Sequence, residues 1–261
     1  MQIGCMMHNF KSMPLEEVCG TIAELGYDTV EACALKGGYP YVDLDLPPEP
    51  QMRIIESAGL KCPGISVHCE MIADPEAVAY LKKAARWAAD AGISTIISGE
   101  GWKPDAMPME EAFERGKASV LEVVQECAKV GVHFAMEPHG TFSLTPDGLK
   151  RLMDVSASPY YFINYDVGNL SGACNVCNAE LLPRFIARVG WVHIKDFVRE
   201  GDGKSRAKVD IGSGDVDIED SISILKSSGY AGVVSAEILG HGDPVGSSRR
   251  ALAYLERLVR P

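Results

Sequence analysis

The segment Val132-His133-Phe134-Ala135-Met136-Glu137-Pro138-His139-Gly140 decides the fold. An apolar run stops at a carboxylate, and a proline and a glycine follow at once. Upstream, residues 109–130 carry a helical pattern that Gly131 ends, as glycine does where a helix closes in the left-handed region. Downstream, Thr145 and Pro146 open another helix: threonine caps orphaned N–H groups, and proline lacks the N–H that the first turn would leave unpaired. Helix, turn, strand, loop and helix therefore follow one another in one short stretch.

The same unit recurs in both directions. Apolar, β-branched runs predict strands over residues 2–6, 29–33, 64–68, 94–98, 133–137, 162–166, 191–195 and 233–237. Helical patterns cover 15–25, 50–58, 75–91, 109–130, 146–155, 179–189, 218–227 and 247–259. Pro75 and Pro108 suit helix starts as Pro146 does, and Asp74 is expected to cap as Thr145 does. Gly26, Gly59, Gly92, Gly190 and Gly229 are read as helix ends like Gly131. Eight β–α units with mostly continuous apolar strands call for a parallel sheet covered by helices. The expected fold is α/β, a (β/α)8 TIM barrel in a single domain over residues 1–261, with a doubly wound open sheet as the alternative. The long loops 36–50 and 197–215 have the length of functional lids.

The 261 residues carry a net charge of -11, with 46% hydrophobic and 23% charged residues. Nucleic acid is not an expected partner, because binding a phosphate backbone needs a basic face. No run of about 18 apolar residues exists, so no membrane span is expected. The first residues, MQIGCMMHNF, lack a basic start followed by an apolar run, so no signal peptide is read. Eight cysteines without an export signal fit a reduced, cytoplasmic protein, and Cys5 and Cys69 sit in apolar runs as small hydrophobes.

In a barrel, the groups that do chemistry stand at the C-terminal ends of the strands. Here these ends read Ser66-Val67-His68, Met136-Glu137, Tyr165-Asp166, Val192-His193-Ile194-Lys195-Asp196 and Ser235-Ala236-Glu237. Burying a carboxylate at an apolar strand tip is costly, so several at one mouth need a common positive charge, which a divalent cation supplies. Glu137, Asp166, His193 and Glu237 are the expected ligands of one metal. Without thiolate, a closed zinc site is not expected; Mn²⁺ ranks first, then Mg²⁺ or Co²⁺. His68, His139 and His8 are candidate substrate contacts, with Asn9 and His241 nearby in loops. Glu100 is read as pointing into the mouth and Trp102 as a face for a sugar ring. His133, at a strand start, is read as structural. The basic run 202–208 is a candidate phosphate or carboxylate contact, although such runs are more often solvated. The Cys174–Cys177 pair has no second pair to make a zinc site. Gly212-Ser213-Gly214 is expected to form a turn, not a dinucleotide-binding loop.

At Ser66-Val67-His68, Met136-Glu137-Pro138, Asp166-Val167-Gly168-Asn169, Val192-His193-Ile194-Lys195-Asp196, residues 212–217 and Ser235-Ala236-Glu237, the chain resembles the xylose isomerase-like sugar phosphate isomerase/epimerase superfamily. That superfamily includes ketose 3-epimerases, inosose dehydratases and endonuclease IV. The resemblance spans essentially the whole chain. It implies that Glu137 and Glu237 are both metal ligands and catalytic bases, that Asp166 and His193 complete the ligand set, and that Arg199, six residues after the histidine, grips the substrate. Two positions depart from the ketose 3-epimerase pattern: Asn169 stands where a substrate-binding histidine is expected, and Ser143 where a glutamate is. The resemblance further implies dimers or tetramers.

The implied activity is a metal-dependent sugar isomerase or epimerase working through an enediolate on a small-molecule keto-sugar or sugar derivative. A lyase, either an inosose-type dehydratase or an enzyme eliminating an aglycone from a keto-glycoside, is the alternative, because expulsion of a β-substituent starts from the same enediolate. An endonuclease IV-like DNA-repair enzyme is the remote alternative, disfavoured by six histidines and the acidic charge.

Overall fold

The computed structural model describes residues 1–11, 13–38, 41–174, 177–201, 206–238 and 242–260. Its strands are β1 (Gln2–Met6), β2 (Thr29–Cys33), β3 (Lys61–Ser66), β4 (Thr95–Ser98), β5 (His133–Met136), β6 (Tyr161–Asp166), β7 (Val189–Ile194), β8 (Phe197–Arg199), β9 (Arg206–Lys208) and β10 (Val233–Ala236). Eight of them close into a barrel in the order β1-β10-β7-β6-β5-β4-β3-β2, and every pair in it is parallel. The open-sheet alternative is thereby excluded. The helices are α1 (Leu15–Leu25), α2 (Pro48–Ser57), α3 (Ala77–Asp90), α4 (Met109–Val130), α5 (Pro146–Met153), α6 (Val167–Cys174), α7 (Asn178–Phe185), α8 (Ile218–Ser227) and α9 (Pro244–Val259). Among the described residues no helix is long and apolar enough to cross a membrane.

Every expected strand exists, but several end earlier than the sequence suggests. Glu137 and Glu237 lie one residue past the ladder, their N–H groups still bonded to Ser98 and Ile194 carbonyls. Glu137 is therefore rigidly hung from the sheet while its side chain faces the mouth. The loop 197–215 contains the β8–β9 hairpin, which pairs antiparallel. Strand β6 runs straight into α6, a helix that the pattern did not separate from the following loop.

Helix ends show which cap signals act. Thr145 accepts the Gly148 N–H at 3.1 Å and starts α5 as expected. Asp74 does not cap: α3 begins at Ala77, and the Asp74 carboxylate instead takes the Glu76 N–H and an ion pair from Lys36. Pro75 accordingly precedes the helix, and Pro108 occupies the N-cap position of α4. Gly190 is a correction as well, since it lies within β7. Helix α7 ends at Phe185, and the chain passes into a short 3₁₀ turn over Ile186–Arg188 before β7.

The barrel interior is packed in its lower part by Ile97, Ala135, Trp191 and Val233. The Trp191 ring uses space that only glycine leaves: a Cβ on Gly64 would stand 2.5 Å from it. Large interior side chains of this kind make the barrel a packed core, not a pore. His133 stacks on Phe162 and Tyr160 with centroid separations of 4.5 and 5.3 Å, at the stability face, as expected of a structural residue.

Candidate metal centre

Above Trp191, His193 in β7 and Lys195, one residue past its end, face the interior in turn, because side chains two apart share a face. Strand β6 places Asn164 and Asp166 likewise, and Asp166 is the register partner of His193. Glu137 after β5 and Glu237 after β10 complete the group. Donor atoms of Glu137, Asp166, His193 and Glu237 all lie within 4.8 Å of one another. Three of these side chains are buried and Glu237 is nearly so.

The carboxylate of Glu137 is the most tightly held. Its Oε2 accepts from Asn164 Nδ2 at 2.9 Å and lies 3.2 Å from His68 Nε2, and its Oε1 accepts from Asn169 Nδ2 at 3.1 Å. His193 Nδ1 is 3.0 Å from Glu137, 3.4 Å from Glu237 and 3.9 Å from Asp166. On the other side of the ring, Nε2 lies 3.0 Å from both oxygens of Glu31, a fully buried carboxylate that also accepts from Ser66 and Trp191. A proton on Nε2 shared with Glu31 leaves the Nδ1 lone pair aimed at the carboxylate cluster, the orientation a metal-ligating histidine requires.

Charge in the group does not balance. Glu31, Glu137, Asp166 and Glu237 are four acids, and the buried cations facing them are Lys195 and, when protonated, His193. The Lys195 ammonium stands 2.7 Å from Asp166 and 2.7 Å from Glu237. The two oxygens it meets, Asp166 Oδ2 and Glu237 Oε2, are themselves buried. With His193 neutral, as a ligand must be, the four acids face the single charge of Lys195, and the oxygen and imidazole donors converge within 4.8 Å, so the donor set fits a divalent metal.

The same surroundings set the titrations. Burial raises the Asp166 carboxyl to about 7 against the pull of Lys195, and Glu237 and Glu137 add to the rise. Burial also acts on Glu237, but Lys195 outweighs it and brings the group to about 2. Burial opposes ionisation of Glu137, and the His193 and His68 rings overcome it, holding it well below the usual carboxylate range. Burial disfavours a charged His193, yet Glu31 and then Glu137 push its proton affinity well up.

A cavity of about 300 Å³ opens over these groups, lined by Glu137, Glu237 and Lys195 together with His8, His68, His139 and Asn169. Asn169 sits in the first turn of α6, its N–H on Asp166 and its Oδ1 accepting from Lys195 at 3.2 Å. Gly168 makes room for that lysine, since a Cβ there would lie 2.2 Å from Lys195 Cγ. Burial lowers the proton affinity of His8 and of His139, so both meet a ligand as neutral rings. Asn9 turns away from the cavity and clamps the end of β10 through Ala236 and Ile238.

Two expected substrate contacts, Glu100 and Arg199, are directed elsewhere. Glu100 does not point into the mouth: its buried carboxylate accepts from the Phe142 and Ser143 N–H groups and from the Ser143 hydroxyl, so it builds the loop after β5. Arg199 is directed to Ser171, and its N–H is held by Asp215, away from the cavity lining. Trp102 is 51% exposed at the rim, edge-on to His139 at 6.5 Å. The Gly212–Gly214 turn is filled by the Asp196 carboxylate, which accepts from both glycine N–H groups, leaving no cradle for a phosphate. His241 and residues 202–205 of the basic run lie outside the described residues, as does the centre of the Cys174–Cys177 pair; Cys177 is exposed.

The sequence reading missed Glu31, Asn164 and Lys195. Each has a signal in hindsight. Glu31 is a lone acid inside an apolar strand, while Asn164 and Lys195 stand two residues from a proposed ligand and so on its face.

A family model described as xylose isomerase-like TIM barrel matches residues 19–258. An uncharacterised protein of Methanocaldococcus jannaschii is 23% identical over 186 residues, 69% of this chain; the match spans 62% of that relative's length. Among solved structures, a D-tagatose 3-epimerase-like protein superposes with a TM-score of 0.80 at 20% identity, covering 99% of this chain and 98% of the other. The IolI protein with a bound zinc atom does so at 0.80 and 16%, covering 99% and 98%. At these identities the likeness establishes the shared fold.

Proposed function

The chain belongs to the xylose isomerase-like TIM barrel family, and from that premise we propose that it is a divalent-metal-dependent enzyme that epimerises or isomerises a keto-sugar or sugar derivative. One observation carries the reading: three carboxylates and an imidazole converge within 4.8 Å under a cavity. Burying several acids at one point is costly, and a bound divalent cation would offset that cost beyond what Lys195 supplies. Glu137, Asp166, His193 and Glu237 would hold the ion, which when bound supplies Lewis-acid stabilisation of negative charge on substrate oxygens. Mn²⁺ suits an oxygen-rich set with one imidazole.

The protein's own groups divide the proton work. Glu137 and Glu237 approach the cavity from strand ends separated by β6 and β7. Both are kept ionised, by His193 and His68 and by Lys195 respectively. One takes the proton from the carbon beside the carbonyl and the other returns one. Delivery to the opposite face of that carbon gives an epimer; delivery to its neighbour gives the aldose–ketose isomer. His68 and Asn169 fix the Glu137 carboxylate, and geometry of this kind is what general-base catalysis requires. Lys195 and the neutral rings of His8 and His139 line the cavity where substrate hydroxyls would lie.

The test is product analysis by NMR of Mn²⁺-loaded protein given ketoses, inososes and keto-glycosides, beside a chelator-treated control. Metal-dependent formation of an epimer or isomer supports the proposal. Release of water or an aglycone assigns the lyase reaction instead, and stoichiometric metal binding without turnover of any of these sugars contradicts the proposed activity.

A further inference from the structure

Lys195 lies between the ligand carboxylates and the cavity, its side chain nearly buried. An ammonium carries three donors and no acceptor. Those of Lys195 face Asp166 Oδ2 and Glu237 Oε2, each 2.7 Å away, and Asn169 Oδ1 at 3.2 Å. The two carboxylate oxygens are also the ones turned toward His193 Nδ1, at 3.9 and 3.4 Å. They therefore face the point where the four ligands converge. The other Asp166 oxygen is spent, since Oδ1 accepts the Asn169 N–H at 2.7 Å and holds the first turn of α6. Asp166 Oδ2 is the oxygen left for a metal, and Lys195 already holds it.

Two cations on one oxygen repel each other. A hard divalent ion binds oxygen at roughly 2 Å, so an ammonium on the same atom stands within about 5 Å of it. The repulsion grows with the product of the charges, and salt screens buried charges little. The lysine has somewhere else to go. Its stem crosses bare backbone at Gly168, where a Cβ would lie 2.2 Å from Cγ and 3.0 Å from Cδ. Its third partner, Asn169, is part of the cavity lining. The Asn169 amide cannot turn over, because Nδ2 donates to Glu137 Oε1 at 3.1 Å and to the Pro138 carbonyl at 3.0 Å. Asn169 Oδ1 is thus a fixed acceptor at the cavity edge, and the ammonium can pivot on it into the space of about 300 Å³ above.

We propose that Lys195 is an internal counter-ion that exchanges with the metal: the ion takes the Asp166 and Glu237 oxygens, and the displaced ammonium turns on Asn169 to face the substrate. This rests on the metal reading of the four ligands. Before loading, the ammonium neutralises part of the acid cluster and lowers the cost of burying it. After loading, the same ammonium is a charged donor for a substrate oxygen that gains negative charge in the reaction. Loading the metal and arming the cavity with a cation are then one event.

Two measurements test the exchange, and neither depends on turnover. The first follows lysine ammonium protons by ¹⁵N-resolved NMR, with Lys195→Arg identifying the Lys195 signal by its loss. A buried ammonium with three acceptors exchanges slowly with water, so the metal-free protein should show that signal. Titration with Zn²⁺, a diamagnetic ion, should remove it in proportion to loading, as the ammonium turns into the cavity and exchanges fast. The second is calorimetry with Mn²⁺ at one fixed pH. Lys195→Met is expected to bind the ion about tenfold tighter than wild type, and without metal to unfold at a lower temperature. A slow-exchanging Lys195 signal that survives stoichiometric loading, its absence before loading, or affinity unchanged or weakened in Lys195→Met overturns the exchange while leaving the metal centre standing. No binding of either ion by the wild type overturns the metal centre and the exchange with it. Should Lys195→Met fail to fold, the wild-type NMR titration decides by itself.

Discussion

Glu31 and His193 meet across the barrel, Nε2 of the ring lying 3.0 Å from each carboxylate oxygen, both side chains fully buried. The contact determines which nitrogen faces the acids. Replacing Glu31 with Gln keeps the shape but removes the charge that favours a proton on Nε2. Mn²⁺ affinity should fall about 10- to 100-fold, as for other partners that orient a ligand histidine. Isothermal titration calorimetry on Glu31→Gln checks this, with circular dichroism to verify the fold. Unchanged affinity would mean that Glu31 serves packing alone.

Metal affinity should also depend on pH. Asp166 titrates at about 7 and the His193 proton is held well above its ordinary range, whereas a ligand must be deprotonated. Protons therefore compete, and affinity weakens as pH falls, by about tenfold per unit for each proton displaced. Without metal the sign for Asp166 is reversed: its folded value is raised, so its contribution to stability is greatest below its ordinary 3.8 and is lost as pH rises through about 7. Calorimetry in buffers of different ionisation enthalpy should detect proton release on Mn²⁺ binding at pH 6. A pH-independent affinity would contradict this ligand set.

The Glu100 carboxylate bonds three donors in the loop after β5. Glu100→Ala leaves them unsatisfied in a buried setting and should cost about 3 kcal/mol, since hydrogen bonds to a charged acceptor are individually strong. Urea unfolding measures the loss. A variant of unchanged stability but raised KM would return Glu100 to the substrate-binding role that the sequence suggested.

Packing under the site gives a further expectation. Gly64→Ala would drive a methyl group to 2.5 Å from the Trp191 ring, beneath His193. Overpacking of this kind costs about 1–3 kcal/mol. Thermal unfolding should show the loss, and a neutral result would mean that the barrel floor yields more easily than its close packing implies.

The fold and the convergence of the four candidate ligands were legible because each strand signals twice, by its apolar run and by the polar residue that ends it. Glu137, Asp166, His193 and Glu237 needed only strand-end logic. Arg199 and Glu100 were not legible, because a loop residue's direction depends on partners such as Ser171 and Phe142 that are distant in sequence. Asp74 was misread as a cap because Lys36, thirty-eight residues away, competes for its carboxylate. The pattern places residues on faces; it does not reveal which neighbour wins a contested side chain.

The most direct test of the central claim is deuterium wash-in. Mn²⁺-loaded wild type, Glu137→Gln and Glu237→Gln are incubated in D₂O with the keto-sugar that turns over best, and the carbon next to the carbonyl is followed by NMR. The account predicts deuterium at that carbon with the wild type, and loss of epimer or isomer formation in both variants with the fold preserved. Retained product formation in both variants, or product formed by the wild type without any solvent deuterium, would contradict proton transfer by the two glutamates.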